Sequence, residues 1–110
     1  MIVCVPVAPD GTVAQGWGHA ARVAVARVEA GAIAAWVEHD VGWDVLHDEG
    51  TEGGHHARIA RFLSDRAVEI VVAGHMGPPM VQMLGRMGIR VELGVDGDAR
   101  TVVLEAAAGL

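Results

Sequence analysis

Six histidines and a single cysteine make imidazole, rather than thiolate, the main donor this sequence has for holding a metal. Spacing narrows the choice. His55 and His56 are adjacent and follow Gly53 and Gly54, and His75 stands in the run Gly74-His75-Met76-Gly77-Pro78-Pro79-Met80, directly after the apolar stretch Ile70-Val71-Val72-Ala73. A histidine between glycines can face a ligand that the backbone itself approaches closely, and the prolines fix the turn that follows. His19 comes directly after Gly16-Trp17-Gly18, whereas His39 and His47 lie in acidic sequence and are expected to be solvated.

The elements that must position these rings can be read from periodicity. Residues 2–7, Ile-Val-Cys-Val-Pro-Val, form a β-branched run closed by the Pro9-Asp10-Gly11 turn signal and read as a strand. Two further β-like runs, 22–28 and 32–37, flank Glu29-Ala30-Gly31 and suggest a hairpin. Residues 38–54 are polar, acidic and interrupted by glycine, which predicts a long mobile loop. Residues 55–66 place Ile59, Ala60, Phe62 and Leu63 on one side, the pattern of an amphipathic helix. A buried-type strand follows at 69–73, and Pro78 opens a helix with an apolar stripe of Met80, Met83, Leu84 and Met87 that stops at Gly88. A strand at 89–93 and a helix at 98–108 complete the order, which defines a mixed α/β sheet.

That order has a geometric consequence. A helix joined to the next strand by a short connection runs antiparallel to it, so its start and the strand's end share one edge of the sheet. About 12 helical residues span roughly 18 Å and five extended ones roughly 17 Å, so His55 and His56 are expected near His75. The second helix also begins there, which would aim two helix N-termini at one place and favour an anion. Ligands of open α/β sheets bind outside the carboxyl ends of the strands, so Gly74, His75, Met76 and Gly77 are read as a ligand-facing loop. Neighbouring helical residues point about 100° apart, so one metal ion takes either His55 or His56. Met80, Met83 and Met87 read as core, with Met76 off their stripe, and Cys4 reads as a small buried hydrophobe. Trp17 between glycines and Trp43 in the loop could each cover a pocket or an interface, with anchoring in the core the favoured reading for Trp17.

Composition excludes several functions. The 110 residues, 52% hydrophobic and 20% charged, suit one folded domain. A net charge of -6 without a basic cluster excludes nucleic acid as the expected partner. No run approaches the length of a membrane span, the start lacks a signal-peptide pattern, and the lone cysteine suits a reducing compartment, so a cytoplasmic protein is expected. Lysine, tyrosine and asparagine are absent and Ser64 is the only serine, which removes Schiff-base and lysine phosphate-loop chemistry and leaves serine hydrolysis without an evident base. The first strand carries no acid for a two-metal nuclease. A non-enzyme is the expectation.

The start MIVCVPV, the Gly16-Trp17-Gly18 bend followed by His19-Ala20, residues 50–94, most specifically 53–94, and the Gly97-Asp98 turn together resemble the nitrogenase iron-molybdenum cofactor biosynthesis family, with its NifX-like and orange-protein-like members. The resemblance covers nearly the whole chain. It implies a three-layer α/β/α sandwich of ribonuclease-H-like type, built on a five-stranded mixed sheet with one antiparallel strand. It also implies a carrier for iron-sulfur or iron-molybdenum clusters, whose partners are the cluster and the proteins that donate or accept it. Many relatives carry His-Phe-Gly where this chain has Gly16-Trp17-Gly18, so the family's histidine there is missing, with His19 nearby. The competing reading is a single zinc, nickel or copper ion held by His75, His55 or His56, and His19 or a carboxylate. A docking role for the acidic loop is a further alternative.

Overall fold

The computed structural model describes residues 1–109. Nine elements follow one another: β1 (Ile2–Pro6), β2 (Arg22–Glu29), β3 (Ala32–Asp40), α1 (Trp43–Leu46), α2 (Glu52–Asp65), β4 (Ile70–Val72), α3 (Pro78–Arg86), β5 (Arg90–Glu92) and α4 (Ala99–Ala107). They build a five-stranded sheet in the order β3-β2-β1-β4-β5. β1 pairs parallel to β4 and β4 to β5, while β2 runs antiparallel to both β1 and β3, so β2 is the one reversed strand. The β2–β3 hairpin turns through Ala30 and Gly31, both at positive φ (52° and 76°), the conformation that a tight two-residue hairpin turn needs.

Strand alternation divides the core into two layers. Cys4, Val23, Val71 and Ala73 face one side with Ile59 and Leu63 of α2 and Met80 and Leu84 of α3. Val3, Val5, Ala24, Ala26 and Val72 face the other, against Ala99, Val102, Val103 and Ala106 of α4. The central strand β1 is therefore apolar on both faces, which is why its sequence reads as a continuous run. Among the described residues no helix is long and apolar enough to cross a membrane.

The expected loop at 38–54 is the main departure. β3 continues to Asp40 because Arg22 bonds Glu38 and Asp40 at 3.1 and 2.8 Å across the pair. Trp43, 2% exposed, then anchors α1, whose start bends through Gly42 at φ 64°. α2 begins at Glu52, a turn earlier than its periodicity indicates. The Thr51 side chain accepts the Gly54 N–H at 2.9 Å, and that cap offsets the poor helix propensity of Gly53 and Gly54. His39 is likewise not simply solvated: it is half-buried, with its ring edge-on to Phe62 at 5.3 Å.

Candidate functional site

Beyond the carboxyl end of β4 lies a cavity of about 520 Å³ whose walls include Gly16, Trp17, Gly18, His19, His47, Glu52, His55, His56, His75, Met76, Gly77, Pro79 and Met80. Five of the six histidines thus meet at one place, from three regions of the sequence, 16–19, 47–56 and 75–80. The loop after β4 is tied to the loop before β2: the His75 N–H donates to Gln15 O at 3.0 Å and the Trp17 N–H to His75 O at 3.2 Å, which forms a parallel bridge between Gly16 and His75. Gly74 does not line the cavity. A β-carbon there would stand 3.0 Å from Gln15 O and 3.5 Å from Val95 O, so this glycine is what lets the loops pack.

The hydrogen bonds sort the rings into two kinds. His55, expected among the ligands, is 6% exposed, with Nε2 2.8 Å from Gly18 O and Nδ1 2.8 Å from Arg58 Nη1. Arginine only donates, so Nδ1 accepts, Nε2 carries the proton, and it donates to Gly18 O. Both ring nitrogens are engaged and no lone pair is left for a metal. His55 is a strut from α2 to the loop at 16–18. Arg58 also donates to Leu46 O at 3.4 Å, which brings the end of α1 into the same frame. Among the described residues no hydrogen bond holds the rings of His19, His56 or His75. The nearest acid to His56 is Glu52, at 4.0 Å.

His47, expected in solvent, belongs to this wall. Its ring stacks on that of His19 at 3.7 Å between centroids, with Nδ1 3.0 Å from Trp43 O and Nε2 3.1 Å from Asp48 Oδ1. Both nitrogens face acceptors, so His47 serves as the surface on which His19 rests. Its i,i+4 spacing to Trp43 was the one sequence signal available. Trp17, Met80, Pro79 and Glu52 are further wall residues that the histidine pattern did not single out.

Two helix N-termini meet here as the order of elements implies, yet they offer an anion less than expected. α3 starts with Pro78 and Pro79 after the N-cap Gly77, and prolines have no N–H. At α2, the Gly54 N–H is taken by Thr51 and Glu52 already answers the helix dipole. The unengaged imidazoles and the thioethers of Met76 and Met80, 5% and 4% exposed, are the remaining donors. Among the described residues no three His, Cys, Asp or Glu side chains converge closely enough to hold one metal ion. Cys4 cannot contribute, being fully buried in β1 with burial pushing its thiol far above the ordinary range.

Fold and cavity together define a small α/β protein with an imidazole- and thioether-lined cavity at the carboxyl edge of its parallel strands. The chain belongs to the dinitrogenase iron-molybdenum cofactor family, whose family model matches residues 1–109. Among solved structures, it is similar to PH0822, at 20% identity and a TM-score of 0.76 over 99% of this chain and 91% of that one. It is also similar to the apo form of the orange protein from Desulfovibrio gigas, at 22% identity and a TM-score of 0.72 over 98% and 88% of the two chains. At these identities the likeness is one of fold. No curated protein matches the chain in sequence.

Proposed function

We propose that this protein binds a preassembled anionic metal-sulfide cluster, of iron-sulfur or iron-molybdenum type, and carries it for cofactor assembly or transfer without chemical turnover. The observation that carries this reading is the set of three imidazoles, His19, His56 and His75, that border one cavity of about 520 Å³ and whose rings have no hydrogen-bond partner among the described residues, in a chain of the dinitrogenase iron-molybdenum cofactor family. A neutral imidazole offers its lone pair to iron or a related metal, as histidine does in some iron-sulfur proteins. The cluster brings its own sulfides, so the site needs no thiolate. Met76 and Met80 give those sulfides a polarizable, apolar lining.

The arrangement suits holding rather than catalysis. His55, Arg58 and His47 fix the walls, while the candidate ligands lie on separate segments around a space that falls within the usual range of small-molecule pockets, roughly 300–1,000 Å³. His19 and His75 are exposed, so a donor or acceptor protein can reach the cargo at the cavity mouth. A single ion would require these segments to move together, since among the described residues no three His, Cys, Asp or Glu side chains converge.

Purification without oxygen, followed by iron, molybdenum and sulfide analysis and a visible spectrum, tests the reading. Metal with a matching amount of sulfide and sulfide-to-metal charge-transfer bands is the expected result. One stoichiometric divalent ion without sulfide would overturn it in favour of the single-ion site.

A further inference from the structure

We propose that the indole N–H of Trp17 is a recognition donor for the cargo, reserved for a sulfide or other anionic acceptor that arrives with the ligand; this rests on the reading of the cavity as a metal-sulfide site. Trp17 is 1% exposed. Its Nε1 is the buried side-chain nitrogen or oxygen that, among the described residues, has no hydrogen-bond partner. Buried donors are almost always paired, because a lost hydrogen bond to water must be replaced. Trp36 shows the ordinary arrangement, its Nε1 donating to Glu38 at 3.0 Å.

The place of the unpaired donor gives it meaning. Trp17 is in the cavity wall between Gly16 and Gly18, and its own backbone N–H is bonded to the carbonyl of His75, a candidate ligand. Trp17 fills core space and meets Trp43 edge to face at 5.2 Å and 68°, an aromatic contact that does not itself require a polar edge. The N–H is closed off from solvent in this structure, so the indole has to turn toward the cavity when the cargo is bound, while the backbone of residues 16–18 stays tied to His75 and His55. Hydrogen bonds to cluster sulfurs are a recognised means by which a protein tunes and orients a cluster. A Trp17 donor beside His75 would therefore favour a sulfide-bearing cargo over a bare ion.

Trp17→Phe separates the ring from the donor. The variant and wild type are titrated with tetrathiomolybdate, a small anionic metal sulfide, and with zinc ion; apo-protein stability is followed by urea unfolding and the indole N–H signals by NMR. Expected are a roughly tenfold loss of tetrathiomolybdate affinity, as for one charge-assisted hydrogen bond, and unchanged zinc affinity. Apo-stability should fall modestly, because phenylalanine leaves part of the space of a 1%-exposed indole unfilled, and the wild-type Trp17 N–H signal should move downfield on titration. Equal tetrathiomolybdate affinity in the two proteins with an unmoved Trp17 signal overturns the proposal. Should the variant fail to fold, the wild-type signal alone decides. A wild type that binds no tetrathiomolybdate removes the metal-sulfide reading itself, whereas tight binding by both proteins removes only the role of Trp17.

Discussion

His55 lies against the cavity with both ring nitrogens hydrogen-bonded, to Gly18 O and Arg58, and we read it as a strut rather than a ligand. His55→Ala and His55→Gln together test that conclusion. Alanine removes the bond to Gly18 O, takes from Arg58 its acceptor and leaves space in a side chain only 6% exposed. A buried hydrogen bond and the truncation of a buried ring sum to about 2–4 kcal/mol. The lower end is expected, because Arg58 keeps Leu46 O as a partner and water from the cavity can reach Gly18 O. With a urea m-value of roughly 1–1.5 kcal/mol/M for a small domain, the unfolding midpoint should fall by about 1.5–2 M. Glutamine can reproduce both contacts, its amide NH₂ donating to Gly18 O and its carbonyl accepting from Arg58. It should recover most of the midpoint and bind metal-sulfide cargo like wild type. A His55→Gln protein of wild-type stability that had lost cargo binding as fully as His75→Ala would refute the strut and make His55 a ligand.

Three further outcomes follow from the structure. Ala30 sits at φ 52°, a conformation that alanine adopts at a cost glycine avoids, so Ala30→Gly should raise stability by about 0.5–1 kcal/mol in urea unfolding. Cys4 should stay unreactive toward a thiol reagent until the protein unfolds, and Cys4→Ala should lower stability by about 1–2 kcal/mol with bound metal unchanged. His39 has its pKa lowered by partial burial and then by the Arg66 charge. The unfolded chain therefore takes up that proton first as pH falls, so the contribution to stability is full above 6.5 and lost as pH drops through the folded value. His39→Gln should flatten the pH dependence of the unfolding midpoint below 6.5.

The sheet and its helices were legible because β1, β2, β4 and α3 obey simple periods and because Pro78, Gly88 and Asp98 punctuate them. The meeting of His56 with His75 followed from element order alone. Residues 38–54 were not legible in the same way. Glycines and acids read as a loop, but α1 exists because Trp43 is buried and α2 starts early because Thr51 caps it, and both effects depend on tertiary structure or on one side-chain bond. His47 was lost with α1. The difference between His55 and His56 rests on Arg58, an i,i+3 partner visible in the sequence but ambiguous until the carbonyl of Gly18 is seen opposite. The prolines that marked the turn into α3 also remove N–H groups that an anion site would use. Nothing in the sequence reveals that the Trp17 N–H is unpaired, since that depends on the packing of three separate segments.

The most direct test of the carrier reading is an anoxic titration of apo-protein with a synthetic iron-sulfide cluster. Wild type is compared with His56→Ala, His75→Ala, their double variant and the triple variant that adds His19→Ala. Each single change should weaken binding by about tenfold, the worth of one strong contact, and the double variant should lose less than the sum because both rings act on one ligand. Stability of the His56 and His75 variants should stay within about 0.5 kcal/mol of wild type, because His75 is exposed and partly buried His56 meets only the exposed Glu52 carboxylate at 4.0 Å. The triple variant should bind no more tightly than the cavity's thioether and backbone surface allows. Wild-type affinity in the triple variant would contradict the account, because the three unengaged imidazoles would then have no part in holding the cargo.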